Sequence, residues 1–297
     1  MYFLLPLFTV IIWSGNSIVN VLSANVISPE TISFYRWFIA LITLTPFLIK
    51  PVWKKRQAIK PYLTKLALLA LLGMAINQSL AYFAAATTTA THMTLIFALV
   101  PLLSLMFSVP LLGISLTKKA LLGAAISMTG LVYMLSHGQI SSLLSEGINI
   151  GDTYMLIAAC SYALYGVLLK RWRLPFNNWI ALYVQMVFAV IILLPILAYN
   201  GQVGLSSESL PLVLYAAIPT SILATWLWMQ SIHYLGADKS AMFMNLLPVF
   251  TAIMATLILN EQLSSEQFIG GTLVLAGVSM TQFKSRNTVK KGVTVQS

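Results

Sequence analysis

The sequence predicts an all-α polytopic membrane protein, with ten transmembrane helices arranged as two inverted five-helix repeats. Three observations lead to this fold class. The 297 residues are 59% hydrophobic and only 8% charged, whereas the surface of a soluble domain requires many more charged side chains. Ten apolar segments are long enough to cross a bilayer, and the second five repeat features of the first five with reversed charge.

A helix needs about 20 residues to cross ~30 Å of hydrocarbon. The apolar segments that meet this requirement are 3–22, 32–50, 66–86, 92–113, 119–136, 152–170, 178–199, 210–232, 238–259 and 267–284. No basic segment precedes the first one, and its apolar run is longer than that of a typical signal peptide, so we interpret it as a retained span. The loops between segments are short.

The distribution of Lys and Arg predicts that both termini are cytoplasmic. In that orientation the inner loops and the tail contain 16 of the 17 basic residues, whereas the outer loops contain Glu30, Glu146, Asp152, Glu208, Glu261 and Glu266. Because Lys and Arg set membrane orientation, we expect a multi-pass protein of the cell inner (cytoplasmic) membrane. The basic loops then face anionic lipid, and no nucleic-acid partner is expected.

An internal repeat appears at a constant offset of 147 residues. Pro101 matches Pro248, Gly123 matches Gly270 and Gly130 matches Gly277. The charge reverses at equivalent positions, since Lys119 corresponds to Glu266, as inverted repeats require. We therefore predict a first repeat at 1–141, an inverted second repeat at 148–284 and a basic cytoplasmic tail at 285–297. Inverted repeats place a substrate site near the midplane, exposed alternately to each side.

The chain resembles the drug/metabolite transporter superfamily, in its ten-helix EamA-type branch. The resemblance is carried by "WSGN" in the first span, by the Arg of "FYRWFIA" and by "LLPVFTAIMATLILNEQLSSEQFIGGTLVLAG". It implies transport of a small metabolite, often export of amino acids or amphiphilic compounds, through a central cavity lined by spans 1, 3, 4, 6, 8 and 9. One residue departs from the family pattern, because Ile114 occupies the position equivalent to Glu261.

The stretch "WSGNSIVN" places polar side chains on one face of the first span. Trp13, Asn16 and Asn20 are spaced i, i+3 and i+7 and therefore share that face. Burying an amide without a partner costs ~1–3 kcal/mol, so we predict that Asn16 and Asn20 face the cavity. Trp13 either lines the cavity or anchors the span at the interface, and the small residues Ser14 and Gly15 favour close helix packing.

Similar clusters occur in later spans. The further predicted substrate-binding residues are Asn77, Gln78 and Tyr82 in span 3, Tyr162 and Tyr165 in span 6, Trp226 and Gln230 in span 8, and Asn245 in span 9. An apolar pocket with a few amide and hydroxyl groups is the usual composition of a small-molecule site. Its aromatic side chains suit a partly apolar, aromatic or cationic substrate.

Three further features have alternative interpretations. Pro101 and Pro248 lie at mid-span, where they form either hinges or static kinks. The paired glycines of spans 5 and 10 favour close packing of those spans.

Arg36 is the one charge within a span; it snorkels, pairs with Glu30 or contacts a substrate carboxylate. The spans have no acidic residue at mid-membrane, so the coupling ion stays open, and His92, His137 and His233 lie near span ends.

Other functional classes lack their defining residues. An intramembrane enzyme requires a nucleophile with a base, paired carboxylates or a metal cluster, and Cys160 has no His in its own span. A channel requires charged rings or filter loops. We therefore expect no catalytic residue, metal or cofactor, and a small-molecule substrate and the lipid bilayer as partners of a monomer or homodimer. Uptake of a vitamin- or nucleoside-like metabolite is the alternative to export, and a non-transporting receptor or scaffold is a distant one.

Overall fold

The computed structural model describes residues 2–23, 26–85, 87, 93, 96–114, 117–136, 138–139, 141, 149–200, 204–259 and 264–282. In this part of the chain the regular structure is helical. The helices are α1 Leu4–Ser23, α2 Pro29–Lys54, α3 Arg56–Ala84, α4 Val100–Leu112, α5 Lys118–Leu135, α6 Ile150–Trp172, α7 Asn178–Asn200, α8 Ser209–Leu235, α9 237–259 and α10 Ser265–Gln282. The predicted tail 285–297, His92, His137, Glu146 and Glu261 lie outside the described residues.

Several of these helices have the length and composition of membrane spans. Five are long and apolar enough to cross a bilayer: Pro29–Lys54, Arg56–Ala84, Ile150–Trp172, Asn178–Tyr199 and Ser209–Leu235. Leu4–Asn20, Val100–Leu112 and Phe268–Met280 are shorter apolar helices. Large apolar side chains also point outward, as Phe47 and Leu257 do with 72% and 76% exposure. A polytopic, all-helical membrane protein is thereby confirmed, and the number of spans stays a prediction.

Two helices, α3 and α8, contain π-helical segments at equivalent places. α3 contains a π-helical segment at Leu71–Ile76, and α8 contains one at Ala216–Ala224. The offset of 147 residues moves 71–76 onto 218–223, which lies inside the second segment. The same offset moves Val100–Leu112 onto Leu247–Leu259, the final α-helical part of α9. Irregular and regular segments therefore recur at the same repeat positions, and π-helical turns are frequent at functional sites.

Helix packing follows a paired scheme. α2 packs against α7, and α5 packs against α10. α1 packs against α8 and α9, just as α6 packs against α3 and α4. If each helix is replaced by the helix five places along the chain, the contact of α1 with α8 becomes that of α6 with α3, and the contact of α1 with α9 becomes that of α6 with α4. The pairs α2–α7 and α5–α10 stay the same. The direction in which each group of five helices crosses the membrane stays a prediction.

Close backbone contact joins α5 to α10 through Gly130, Gly270 and Gly277, which we term the glycine contact. A Cβ atom added to Gly270 would lie 2.5 Å from the Gly130 carbonyl oxygen, and one added to Gly277 would lie 2.5 Å from the Ser127 nitrogen. Such distances are incompatible with any side chain, so these helices approach at the limit set by their backbones. The predicted glycine packing of these two helices is confirmed.

The two repeat-related prolines each lie near the start of an α-helical segment, and their role as hinges or static kinks stays a prediction. Pro101 is the second residue of Val100–Leu112, and Pro248 is the second residue of Leu247–Leu259, directly after the 3₁₀ turn Phe243–Leu246. In the first turn of a helix the backbone N–H has no intrahelical acceptor, so proline is well tolerated there. Each proline therefore begins an α-helical segment.

Candidate functional site

A continuous chain of hydrogen bonds links α1, α2, α3 and α6, and we term it the polar network. The Asn16 amide donates to the side-chain oxygen of Asn20 (3.1 Å), and the Tyr82 hydroxyl donates to the same oxygen (3.4 Å). The Gln78 amide donates to Asn77 (3.1 Å), whose own amide donates to the Ala158 carbonyl of α6 (3.0 Å). The structure thus brings together the predicted polar residues of the first and third spans.

Arg36, for which several alternative roles are predicted, lies at the centre of this network. Its Nη1 donates to the Gln78 side-chain oxygen (2.8 Å) and to the Tyr82 hydroxyl (3.2 Å). Its Nε donates to the Ser221 hydroxyl (2.9 Å), in the π-helical segment of α8. The residue is 2% exposed, so it does not snorkel, and its hydrogen-bond partners among the described residues do not include Glu30. The guanidinium instead points inward and connects α2 to α3 and α8.

Aromatic rings pack beside the network in a group that we term the aromatic cluster. Trp13 lies 6.0 Å from Tyr162 and 5.3 Å from Trp228, measured between ring centroids. Tyr162 also stacks on Tyr165 (5.8 Å) and lies 6.0 Å from Phe97. Helices α1, α6 and α8 therefore converge on one aromatic group, and Trp13 lies inside it rather than at an interface.

The network and the cluster border a small internal space, the central cavity. Its lining residues are Trp13, Arg36, Trp37, Gly73, Met74, Gln78, Tyr162, Tyr165 and Thr225. The volume is about 20 Å³, which is room for about one water molecule. Gly73 belongs to the π-helical segment of α3, and a Cβ atom there would lie 2.6 Å from the Tyr165 ring. The absence of a side chain at Gly73 therefore allows the Tyr165 ring to lie against α3.

Trp226 and Gln230 lie elsewhere, in a larger space of about 570 Å³ that we term the peripheral pocket. Trp226 stacks on Trp179 at 4.8 Å, and the Asn178 amide donates to Gln230 at 2.6 Å. The pocket is also lined by Lys170, Arg173 and His233 at the ends of α6 and α8. These two predicted residues therefore do not join the central cavity.

Asn245 also lies apart from the cavity. Its amide donates to the Ser127 hydroxyl (2.8 Å) and thereby ties α9 to α5, close to the glycine contact. On α1, the Ser14 hydroxyl lies 3.1 Å from the Leu247 carbonyl oxygen, and Gly15 lies directly against the Tyr215 hydroxyl of α8. The packing role predicted for Ser14 and Gly15 is thus confirmed.

Comparison with known proteins identifies the family. The model of the EamA-like transporter family matches residues 1–136 and 149–283. The chain belongs to the EamA-like transporter family. An uncharacterized transporter of Archaeoglobus fulgidus is 28% identical, with 95% of this chain and 97% of that protein covered. The uncharacterized transporter YyaM of Bacillus subtilis is 27% identical, with 84% of this chain and 83% of that protein covered.

More distant similarities agree with this assignment. A WAT1-related protein of Arabidopsis thaliana is 25% identical, with 90% of this chain and 77% of that protein covered. A solved crystal structure shares the fold with a TM-score of 0.72 and 16% identity, covering 94% of this chain and 95% of that one. The EamA family and the names of these relatives indicate a multi-pass membrane protein with a transport role.

Several cavity residues of this EamA-like chain were not predicted from the sequence. Trp37 and Met74 line the central cavity, Trp228 and Phe97 belong to the aromatic cluster, and Ser221 binds Arg36. One signal was available for Trp228, because successive helical residues are rotated by about 100°. Trp226 and Trp228 must therefore point to nearly opposite faces, and only one of them can line the cavity.

Proposed function

We propose that this EamA-family protein is a secondary transporter that moves a small metabolite across the cytoplasmic membrane by alternating access between residues 1–141 and 148–284. The observation that carries the proposal is the central cavity, which is lined by helices from both parts of the chain. Arg36, Gln78 and Trp13 come from the first part, whereas Tyr162, Tyr165 and Thr225 come from the second. Relative motion of the two parts would open such a cavity to one side or the other.

The exchange of equivalent helices supports ten spans arranged as inverted repeats. The paired packing scheme and the equivalent π-helical segments are expected when two copies of one unit face each other. An odd number of spans in each copy requires opposite orientations, and the reversed charges of Lys119 and Glu266 support this arrangement. Both termini would then be cytoplasmic.

The composition of the site supports an amphiphilic substrate, for which export of amino acids or similar compounds is our first choice. Aromatic walls would cover an apolar side chain, and the polar network would bind its polar end. In the proposed orientation the peripheral pocket opens toward the cytoplasm, and its volume of about 570 Å³ is large enough for a small molecule. Such a pocket would load the substrate of an exporter; in the alternative, uptake of a vitamin- or nucleoside-like metabolite, it would release the substrate.

Counterflow in proteoliposomes tests the proposal. Vesicles preloaded with an unlabelled amino acid mixture should accumulate labelled amino acids transiently and saturably, which neither a channel nor a receptor does. Trp13→Ala should lower this accumulation about tenfold, because it removes the ring that contacts both Tyr162 and Trp228. Phe47→Ala is the matched control, since Phe47 is 72% exposed on the outer surface of α2. Absence of saturable counterflow for every amino acid and vitamin- or nucleoside-like compound would refute the transport proposal.

Cysteine labelling tests the orientation in a Cys160→Ser background. A cysteine at Lys55 should be protected from membrane-impermeant reagents in intact cells, whereas a cysteine at Ser206 should be labelled. The two positions lie at corresponding loops of the proposed inverted repeats, so opposite results are required. Labelling of position 55 from outside would contradict the orientation.

A further inference from the structure

Arg36 is a buried cation whose hydrogen-bond partners are all neutral. Its three hydrogen bonds go to the Gln78 side-chain oxygen and to the hydroxyls of Tyr82 and Ser221. The Trp37 ring lies 5.4 Å from the guanidinium carbon. Among the described residues no carboxylate contacts Arg36, and its Nη2 makes no hydrogen bond there. The charge is therefore hydrogen-bonded but not neutralised by the surrounding side chains.

This arrangement is costly at membrane depth. Removing a cation from water carries a penalty of several kcal/mol, which neutral hydrogen bonds offset only in part. Charged residues inside transmembrane regions accordingly mark ion or substrate pathways when they line a cavity. Arg36 meets this condition because it is 2% exposed and still lines the central cavity. An anion entering that cavity would supply the missing counter-charge.

The other unpaired groups around the cavity are also hydrogen-bond donors. The Trp37 indole nitrogen and the Tyr165 hydroxyl are buried without a partner among the described residues. Both residues line the cavity together with Arg36, and each is 2% exposed. An indole N–H donates only, whereas a phenolic hydroxyl can donate or accept. The cavity therefore presents an excess of donors, which an acceptor-only group would satisfy.

We infer that the central cavity binds the carboxylate of the substrate, with Arg36 supplying the charge and Tyr165 and Trp37 supplying further donors. The apolar part of the substrate would then lie against Trp13 and Tyr162, after the motion proposed for transport has enlarged the cavity beyond its volume of about 20 Å³ in this structure. This inference rests on the proposed transport function and narrows its substrate class to carboxylate-bearing amphiphiles. It excludes purely cationic substrates, one of the classes that the aromatic residues alone would suit, because the buried guanidinium repels a second cation.

A purely structural role for Arg36 makes a different prediction. If the guanidinium only ties α2 to α3 and α8, its loss should lower thermal stability without changing which ligands bind. Tyr165→Phe separates the two roles, because it removes a buried hydroxyl that has no partner. Such a removal does not destabilise a fold and can stabilise it. A weaker affinity for carboxylates in this variant would therefore report ligand contact alone.

Thermal stabilisation of the purified full-length protein tests the inference with matched pairs of probes. Each pair contains a carboxylate and its primary amide: 3-phenylpropionate and 3-phenylpropionamide, L-phenylalanine and L-phenylalaninamide, L-leucine and L-leucinamide. We expect at least one carboxylate to bind about tenfold or more tightly than its amide, the size expected for a charge-assisted hydrogen bond. Arg36→Gln should abolish this preference, and Tyr165→Phe should lower carboxylate affinity several-fold without lowering the melting temperature of the unliganded protein.

Arg56→Gln is the control for the loss of an arginine, because Arg56 is exposed and, within the described part of the chain, contacts only the carbonyl and the ring of Trp53. If Arg36→Gln does not fold, the Tyr165→Phe result decides. The inference is overturned if no carboxylate is preferred over its amide, including when no probe binds, or if the preference persists unchanged in the variants that fold. Counterflow of an amide or amine with no counterflow of its carboxylate would overturn the inference and leave the transport function standing. A carboxylate preference without any counterflow would refute transport and retain the site.

Discussion

The glycine contact and the central cavity differ in the kind of interaction that holds their helices together. At the glycine contact α5 and α10 meet backbone to backbone, and Gly270 and Gly277 leave no space for a side chain. At the cavity α1, α2, α3, α6 and α8 meet through amide, hydroxyl, guanidinium and aromatic groups. One region is held by small residues and close van der Waals contact, and the other is held by hydrogen bonds and rings.

The difference follows from the solvent. Lipid is as apolar as leucine, so apolar burial alone does not drive helices together in a membrane, and close packing of small residues does so instead. The glycine contact is an example of such close packing of small residues. The cavity instead is lined by two buried polar atoms that have no partner among the described residues, Trp37 Nε1 and Tyr165 Oη. Such atoms lower stability, so their presence in the cavity lining agrees with our proposal that this region binds a ligand.

The largest effect should come from adding a methyl group to the glycine contact. In Gly270→Ala the new Cβ would lie 2.5 Å from the Gly130 carbonyl oxygen and 2.6 Å from the Met134 Cβ. Since backbone atoms cannot move aside as a flexible side chain can, we expect the helices to separate at a cost of about 1–3 kcal/mol or more. The melting temperature of the purified protein and its level in the membrane should both fall.

The neighbouring glycine provides the control for that substitution. A Cβ on Gly271 would lie 3.5 Å from the nearest atom, a side-chain methyl carbon of Val249, which is an ordinary contact distance. Gly271→Ala should therefore leave the melting temperature unchanged or raise it, because alanine favours the helix over glycine. Equal stability of the two variants would show that the glycine contact does not hold α5 and α10 together.

Hydropathy and the repeat were sufficient to predict most of the fold. Apolar segments located the helices, and the matched glycines of the repeat led to the contact between α5 and α10. Local backbone geometry was harder to predict from the sequence. The sequence positions of Pro101 and Pro248 do not reveal that α-helical segments begin there. No sequence pattern distinguishes the π-helical segment Leu71–Ile76 from an α-helix of the same composition.

The sequence was sufficient to predict clustering where polar residues interrupt an apolar helix, and it was insufficient where the contact of a side chain depends on how its helix is rotated. Asn16, Asn20 and Gln78 are conspicuous in apolar surroundings, and the structure joins them in one network. Trp226 and Trp228 are chemically identical, so the choice between them depends on how α8 is rotated against α1 and α6. The contacts of Arg36 likewise depend on tertiary packing, because its partners lie on two other helices.

The next largest effect is expected on transport, from two substitutions that lie two residues apart on α1. Asn16 contributes to the polar network through Asn20, but its own side-chain oxygen has no hydrogen-bond partner among the described residues. Asn16→Ala should therefore lower counterflow about tenfold while the melting temperature changes little, because the lost hydrogen bond is offset by removal of an unsatisfied oxygen. Counterflow and melting temperature are measured on the same purified variant.

Ser14→Ala supplies the opposite case. The Ser14 hydroxyl is fully buried and contacts the Leu247 carbonyl of α9, so its loss should cost about 1 kcal/mol of stability. Counterflow per folded molecule should stay near that of the unmodified protein. The contradicting result would be that Asn16→Ala reduces stability and leaves counterflow unchanged. In that case the polar side chains of α1 serve helix packing, and α1 does not show the proposed difference between packing and substrate-binding regions.

The smallest effect is expected at the prolines, whose segments border both regions. Pro101 and Pro248 occupy the first turn of their helical segments, where proline costs little, so replacing either by alanine mainly restores a backbone donor. The donor allows the α-helix to extend toward the preceding turn, at 98–99 in one case and Phe243–Leu246 in the other. If the repeats are inverted, Pro101→Ala and Pro248→Ala should shift the two facing states in opposite directions, each by on the order of 1 kcal/mol. Reporter cysteines placed on either side of the central cavity would measure both shifts as changes in labelling rate. Shifts in the same direction, or no shift in either variant, would identify the prolines as fixed starting points of helices that take no part in the motion.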